Sequence, residues 1–520
     1  MRIASASAAR EMDSLAERSW GLNAFALVEA AGRSCADALV KFLGDRYRPQ
    51  ESRLIVFAGS GNNGADALVL LRTLIVKYAL PASHGRVIVH RPNDGGPSVR
   101  NQALLSVSQL DVPVIPWEQE ALETGELRSS DILIDGIVGT GIRGPLSGVA
   151  ERMAGTLNRL RYEGEGEPPT LVSIDVPSGL FDLWVPPMPM VQPDLVLAVE
   201  PVKELLYRPA IRPLIGTPLA VEGIFPQKLL ATLPPWELVN FKDLVSRIPQ
   251  VSPRAYKHQR GVVEIWAGSP GASGAARIAA RGAQAAGAGL VRLRVDREIQ
   301  DVLAANAGGV MVSRGQGEGG AAESDRFSPQ GVLLGPGWSW SDERARILRT
   351  MWEREQGGLA LVLDADAIAP AKEYRFSGRT IFTPHPGEFL RLLEPGSVTR
   401  ETLAADPIPL LQRVAQERNA TILLKGHVLH IASPDGRVSV VDGMVGALAA
   451  GGSGDLLAGF TVALAARMAR LSESWDPHTC ALAAAALLIE AGREAAAEMG
   501  FMDPLDIAPV AARLGGNAWL

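Results

Sequence analysis

The chain is predicted to be an α/β protein made of two parallel-sheet units in succession, and three observations carry that reading. Short, almost wholly apolar segments, of the kind that form strands buried on both faces, run into glycine-rich polar loops and then into apolar helices in both halves. A length of 520 residues exceeds what one hydrophobic core organises. The stretch 226–259 carries several prolines and no clear strand, which divides the chain into domains at 1–225 and 251–520 with a linker over 226–250.

In the first half, Met12, Leu15, Ala16, Phe25, Leu27, Val28, Ala31, Ala38 and Leu39 mark two helices over 8–42, broken near Gly21. A strand over 53–58 runs into Gly-Ser-Gly-Asn-Asn-Gly-Ala-Asp at 59–66 and then an apolar helix over 67–76. Further strands are expected at 86–90, 132–135, 171–175 and 195–199, the second followed by Gly-Ile-Val-Gly-Thr-Gly-Ile-Arg-Gly and the third by Val-Pro-Ser-Gly. Three polar loops therefore meet at one sheet edge, where parallel sheets bind ligands. The second half repeats the pattern: a strand over 261–267, a glycine-rich loop to 274, an Ala-rich helix to 287, then strands at 291–295, 331–334, 361–363, 379–382 and 421–424. Residues 315–325 are polar and glycine-rich and are expected to form a mobile surface loop.

Composition narrows the function. With 47% hydrophobic and 21% charged residues and a formal charge of -6, the chain offers no basic field for nucleic acid. Apolar runs such as 481–489 are short and end in charge, so no membrane span is expected. Arg2, Arg10, Glu11 and Asp13 leave no room for a secretory signal, and Cys35 and Cys480 lack metal-ligand spacing, which together suggest a reducing cytoplasm.

The chemistry is concentrated at 447–460, Ala-Leu-Ala-Ala-Gly-Gly-Ser-Gly-Asp-Leu-Leu-Ala-Gly-Phe. Its glycines allow close backbone approach to a ligand, and the apolar run that follows reads as a buried helix with free N–H groups in its first turn. Asp455 at that junction suits a base beside an anion hole, the equipment for moving a phosphoryl group onto an alcohol. Alone, the motif fits a helix-capping Asp equally well. Four further strand-ending loops favour chemistry: Gly-Pro-Gly at 335–337, Asp-Ala-Asp at 364–366, Thr-Pro-His-Pro-Gly-Glu at 383–388 and Lys-Gly at 425–426.

With these motifs in order, residues from about 250 to 515 resemble the NAD(P)H-hydrate dehydratase family, whose fold is ribokinase-like. The resemblance implies that ADP, or ATP, drives loss of water from the 6-hydroxyl form of damaged nicotinamide cofactor. It makes Asp455 the base and assigns Lys425, Gly426, His427, Val428, Leu429 and Gly454 to the nucleotide. It assigns Ala275, Gly337, His385 and Asp455 to the hydrate. The first half, over roughly 5–225, resembles the Rossmann-like NAD(P)H-hydrate epimerase domain through its 59–67 loop, its 135–141 loop and an intact Asp-x-Pro-Ser-Gly at 175–179. That resemblance makes Asp175 the acid/base. It places Asn62, Asn63, Gly64, Ala65, Asp66, Gly139, Thr140, Gly141, Ile142, Arg143, Gly144 and Pro145 around the hydrate with Asp175, and gives a potassium ion to Asn63, Asp135 and Ser178. Magnesium is expected with the nucleotide, NADHX, NADPHX and ADP as small-molecule partners, and a homo-oligomer as the assembly.

Ala65 and Ala67 stand where the epimerase pattern has glycine, and a positive φ at either would cost roughly 1–2 kcal/mol. Ala369 replaces an Asn after Asp-Ala-Asp, and Met444-Val445 replaces Asn-Pro before the final glycine loop. The competing reading is a ribokinase-like small-molecule kinase preceded by a non-catalytic nucleotide-binding module.

Overall fold

The computed structural model describes residues 1–90, 98–119, 127–163, 168–315 and 328–520; the expected surface loop at 315–325 lies, apart from Gly315, outside the described residues. The chain forms two compact units, Arg2–Pro234 and Pro235–Leu520, Met1 being grouped with the latter.

The first unit contains strands β1 (Ile3–Ala4), β2 (Leu54–Ala58), β3 (Gly85–Val89), β4 (Val114–Pro116), β5 (Ile132–Gly136), β6 (Thr170–Ile174), β7 (Leu195–Val199), β8 (Val202–Lys203) and β9 (Thr217–Val221). Seven of them make a sheet in the order β4-β3-β2-β5-β6-β7-β9, every pair parallel, while β1 pairs separately with β8. Helices Ala24–Leu43 and Asn62–Tyr78 cover one face through Leu39, Leu68 and Leu71, and Gly148–Tyr162 covers the other through Met153 and Leu157. This is a Rossmann-like three-layer unit. Strand order reverses between the neighbours β2 and β5, so the loops after them flank a crevice at the carboxyl edge.

The second unit contains β10 (Trp236–Leu238), β11 (Val262–Trp266), β12 (Leu290–Val295), β13 (Val310–Arg314), β14 (Gly331–Leu334), β15 (Ala360–Leu363), β16 (Thr380–Phe382), β17 (Thr421–Leu424), β18 (Val428–Ala432) and β19 (Val438–Asp442). They form one sheet in the order β10-β19-β18-β17-β16-β15-β14-β11-β12-β13, antiparallel only at β17–β18 and β18–β19. This is a second α/β unit with helices packed on a largely parallel sheet. Its order reverses between β11 and β14, which again opens a crevice at the carboxyl edge. Helix Ser453–Leu471 is buried from Leu456 to Met468 and lies against helix Ser273–Ala285. The approach depends on glycine: a Cβ on Gly459 would stand 2.2 Å from the Ala279 carbonyl oxygen, and one on Gly282 would stand 2.6 Å from that of Leu456.

Two expectations are corrected. The stretch 226–250 is structured, with helix Gln227–Leu230 in the first unit and β10 in the second, where it pairs with β19. Three residues are too few to show a period, so only the neighbouring strand specifies β10. The helix placed at 67–76 begins five residues earlier, at Asn62, and takes in Ala65 and Ala67. Neither alanine has a positive φ, so the anticipated backbone cost does not arise. Instead Ala67 fills space: a Cβ on Gly136 would stand 2.6 Å from the Ala67 Cβ.

Candidate functional site

Each unit closes a cavity at the carboxyl edge of its sheet. In the first unit the cavity measures about 530 Å³ and is lined by Ser60–Asn63 and Asp66 from the loop and helix after β2, by 137–141 after β5, and by Asp175 after β6. Asn62, Asn63 and Asp66 reach it from the first turns of the Asn62–Tyr78 helix. Gly139, Thr140 and Gly141 also line it. Gly64 and Ala65 are buried, and a Cβ on Gly64 would stand 2.3 Å from the Gly59 carbonyl oxygen. Ile142, Arg143, Gly144 and Pro145 lie outside the lining.

Asp175 has φ +65°, a conformation Asp tolerates better than most residues and one that often marks a functional position. Its Oδ1 accepts from the Lys203 ammonium at 2.5 Å, and Lys203 itself is buried and also donates to the Val199 carbonyl at 3.1 Å. Asp66 is raised well above the ordinary carboxylate range, first by burial and then by the charge of Asp175, with Lys203 opposing. Asp13, on helix Ala6–Trp20, is pushed up to about 6 by desolvation in the cavity wall, against Lys203 and with Asp175 adding. The site therefore gathers three carboxyl groups about one ammonium. Lys203 and Asp13 carry no sequence signal for a site: neither belongs to a glycine loop, and only the fold brings them to the cavity.

Asp135 and Ser178 lie behind this cavity, fully buried. Asp135 accepts from the Ser173 hydroxyl at 2.7 Å, the Ser178 amide at 2.9 Å and the Ser178 hydroxyl. Burial raises its pKa and these donors lower it, leaving it above the ordinary value. Asn63 Oδ1 faces Gly139, whose Cβ position is 3.4 Å away, and the buried Asn63 Nδ2 has no hydrogen-bond partner among the described residues.

In the second unit the cavity measures about 640 Å³ and is lined by Lys425, Gly426, His427, Leu429 and Gly454, with Met444, Val445, Leu448, Leu457, Leu488 and Ile489 as an apolar wall. His385 lines this same cavity, next to the residues expected to hold nucleotide. Val428 is buried in β18 and does not line it. Ala275 and Gly337 meet each other away from it, at the strand-order reversal: a Cβ on Gly337 would stand 2.9 Å from the Ala275 Cβ. Gly335 must be glycine, because a Cβ there would overlap the Asp364 carbonyl oxygen at 1.8 Å.

Lys425 gathers the charged groups at this edge. Its ammonium donates to Asp364 Oδ1 at 2.7 Å, lies 3.8 Å from Glu388 Oε2, and stands 3.3 Å from the Cβ position of Gly454 at the start of the Ser453–Leu471 helix. Burial lowers its pKa, but Asp364 and Glu388 raise it further, so it stays charged. Asp364 is held by the Thr383 hydroxyl at 2.8 Å, and Ala365, at φ +46°, turns the chain so that Asp366 accepts the Ser339 amide at 2.7 Å. Asp455, in the first turn of the helix, is pushed up to about 6 by burial, then by Asp364, with Lys425 opposing and Glu388 adding. His385 caps helix Pro386–Leu390: its Nδ1 accepts the Gly387 amide at 3.0 Å, and Glu388 returns the bond to the His385 amide at 2.8 Å. Among the described residues, no group of three or more His, Cys, Asp or Glu side chains is placed to hold a metal ion. Among them, too, no helix is long and apolar enough to cross a membrane. Cys35 and Cys480 are buried free thiols.

Two α/β units, each with carboxylates around a lysine at the carboxyl edge of its sheet, define a two-centre enzyme. Residues 263–513 match the NAD(P)H-hydrate dehydratase model, and 24–205 match the YjeF-related protein N-terminus model. The protein named bifunctional NAD(P)H-hydrate repair enzyme Nnr is 29% identical in Moorella thermoacetica, over 96% of this chain and 93% of its own. The Methanopyrus kandleri protein of that name is 30% identical over 85% and 83%, and that of Gloeobacter violaceus 30% over 86% and 85%. Among solved structures, an ADP/ATP-dependent NAD(P)H-hydrate dehydratase from Bacillus subtilis is similar over 54% of this chain and 97% of its own, with 23% identity and a TM-score of 0.46. The chain belongs to the family of bifunctional NAD(P)H-hydrate repair enzymes.

Proposed function

We propose that the chain restores hydrated NAD(P)H in two steps: the first unit interconverts the R and S epimers of the hydrate, and the second dehydrates the S epimer at the expense of ADP or ATP. The observation that carries the second step is Asp455 in the first turn of a buried helix, beside a lysine held by Asp364. Asp455 takes the proton of the 6-hydroxyl as its oxygen attacks the terminal phosphorus, and the bridging P–O bond breaks with its electron pair leaving on AMP (from ADP) or ADP (from ATP). The amides of 451–454 hold the transferring group, and the Lys425 ammonium lies over Gly454 beside it. Phosphate then leaves with the C–O electron pair, a far better leaving group than hydroxide, and loss of a proton from the neighbouring carbon restores the ring double bond. The cavity with the Met444–Leu488 wall accommodates the nucleobase, being apolar with few polar groups.

In the first unit Asp175 is the acid/base at the hydrated carbon, fixed by Lys203. Asn63, Asp135 and Ser178 supply neutral and anionic oxygens suited to potassium, and the Asn63 amide, whose buried Nδ2 has no hydrogen-bond partner among the described residues, is not held from turning its oxygen to such an ion. A bound cation would offset the buried Asp135 charge. Magnesium fits as an ion carried on the nucleotide phosphates, close to the acidic Asp364, Glu388 and Asp455.

The test is direct. Purified protein is mixed with each separated epimer, with and without ADP or ATP, while dihydronicotinamide absorbance is followed. Recovery from both epimers only with nucleotide supports the reading. Phosphorylation of a sugar or pyrimidine alcohol without hydrate repair would replace it with the small-molecule kinase.

A further inference from the structure

We propose that Asp13 is a second acid/base group of the first cavity, working with Asp175 on opposite sides of one proton exchange at the hydrated carbon. This rests on the epimerase reading given above. Asp13 lies on helix Ala6–Trp20, before the segment that matches the family model, which begins at residue 24. One turn earlier on the same helix, Arg10 donates to the Thr140 carbonyl and ties the helix to the 137–141 loop. Asp13 thus stands in the cavity wall with Asp66, Asp175 and Lys203. Asp175 is engaged by the Lys203 ammonium, whereas Asp13 makes no hydrogen bond or ion pair among the described residues, and its side chain opens to the cavity. The charged groups facing it are Arg10 and Glu17 from its own helix, Asp66 from the helix after β2, Asp175 after β6, and Glu200 and Lys203 after β7. Its proton is held to about pH 6, so the acid form is populated where a general acid has to work.

Interconversion of the epimers requires the C–O bond at the hydrated carbon to break and re-form. Protonated Asp13 gives its proton to the hydroxyl as that bond breaks; the bonding pair leaves on the departing water, and the ring-nitrogen lone pair closes a C=N bond. Water returns to the other face, the π pair goes back to nitrogen, and Asp175 accepts the proton that the attacking water releases. The net proton moved from Asp13 to Asp175 returns through the water of the cavity. In the reverse direction the two groups exchange roles.

The test uses the full-length chain, with separated R and S epimers followed by chromatography in the absence of nucleotide and the spontaneous rate subtracted. Asp13→Asn is expected to lower kcat for interconversion on the order of 10²-fold, with KM changed less than about threefold. Asp13→Glu is expected to recover a substantial part of the rate. The wild type should lose rate as the pH rises above about 6, and Asp13→Asn should lack that alkaline fall. An unchanged circular-dichroism spectrum and unfolding midpoint of the variant report that its first unit is folded, and repair of pure S epimer with ADP that the second unit is intact. Unchanged kcat in Asp13→Asn, or a change confined to KM, overturns the proposal while leaving the epimerase reading intact. A wild-type chain that does not exceed the spontaneous rate overturns both.

Discussion

Ala67 and Gly136 share one space between the first ligand helix and the end of β5: a Cβ on Gly136 would stand 2.6 Å from that of Ala67. In the resembled pattern the larger residue is on the other side, glycine at the first position and alanine at the second. The exchange keeps the summed volume. Gly136→Ala is expected to destabilise the first unit by about 1–3 kcal/mol through overpacking. Adding Ala67→Gly should recover part of it, the residual reflecting the Asn63 carbonyl 3.0 Å from the same Cβ position. Urea unfolding of the single and double variants measures the coupling; equal midpoints for the two would refute the shared space.

Asp455→Asn should lower nucleotide-dependent dehydration by ~10²-fold or more while ADP still binds, since the change keeps shape and removes the base. Single-turnover rates and ADP affinity separate the two effects. A variant that turns over at the wild-type rate excludes Asp455 as the base.

The same group sets a pH limit. Asp455 acts as a base only when ionised, and its pKa is pushed up to about 6. Dehydratase kcat/KM should therefore fall as pH drops through about 6 and level off above it. A profile flat to pH 5 would show that its proton is not the one that matters.

Asp175→Asn should leave S epimer repairable with ADP and strand the R epimer beyond its spontaneous conversion. The readout is the fraction of an equilibrated mixture repaired in a fast assay. Complete, rapid repair of both epimers by this variant would remove Asp175 from the chemistry.

Stability offers a test independent of substrate. His478 is buried near the start of helix Pro477–Met499, with Nε2 2.7 Å from the Ser439 hydroxyl, and desolvation lowers its pKa from 6.5 to about 4. The neutral ring is the folded form, so the unfolded chain binds one more proton between these values. Stability from this group is complete above 6.5 and declines as pH falls toward 4, with a slope approaching ~1.4 kcal/mol per pH unit. Chemical denaturation of wild type and His478→Gln across that range should show this slope in the difference between the two stabilities, the buried carboxyl groups contributing equally to both.

Much of this architecture is legible in the chain because parallel strands and the glycine loops after them are local signals. The 453–471 helix, the Asp-Ala-Asp turn and the Asp175–Gly179 turn are each contained in a few consecutive residues. What escapes is what tertiary packing supplies. Strand β10 exists because β19 offers it an edge. Lys203 matters because it reaches back to Asp175, and Asp13 because its helix is tied to Thr140. The start of the 62–78 helix is hidden because Asn62-Asn63-Gly64 resembles a loop by composition, yet the buried Gly64 lets that first turn sit against Gly59. His385 shows the converse: a motif residue whose Nδ1 is already committed to capping a helix.

The close glycine packing at Gly459 and Gly282 fixes the 453–471 helix against its neighbour, and with it the position of Asp455. The apolar cavity wall at Met444 and Val445 is carried on a separate segment that ends before this helix starts. On the reading proposed above, substitutions at Met444 and Val445 would change how a nucleobase packs without displacing Asp455, so base selectivity is free to drift at a fixed catalytic power.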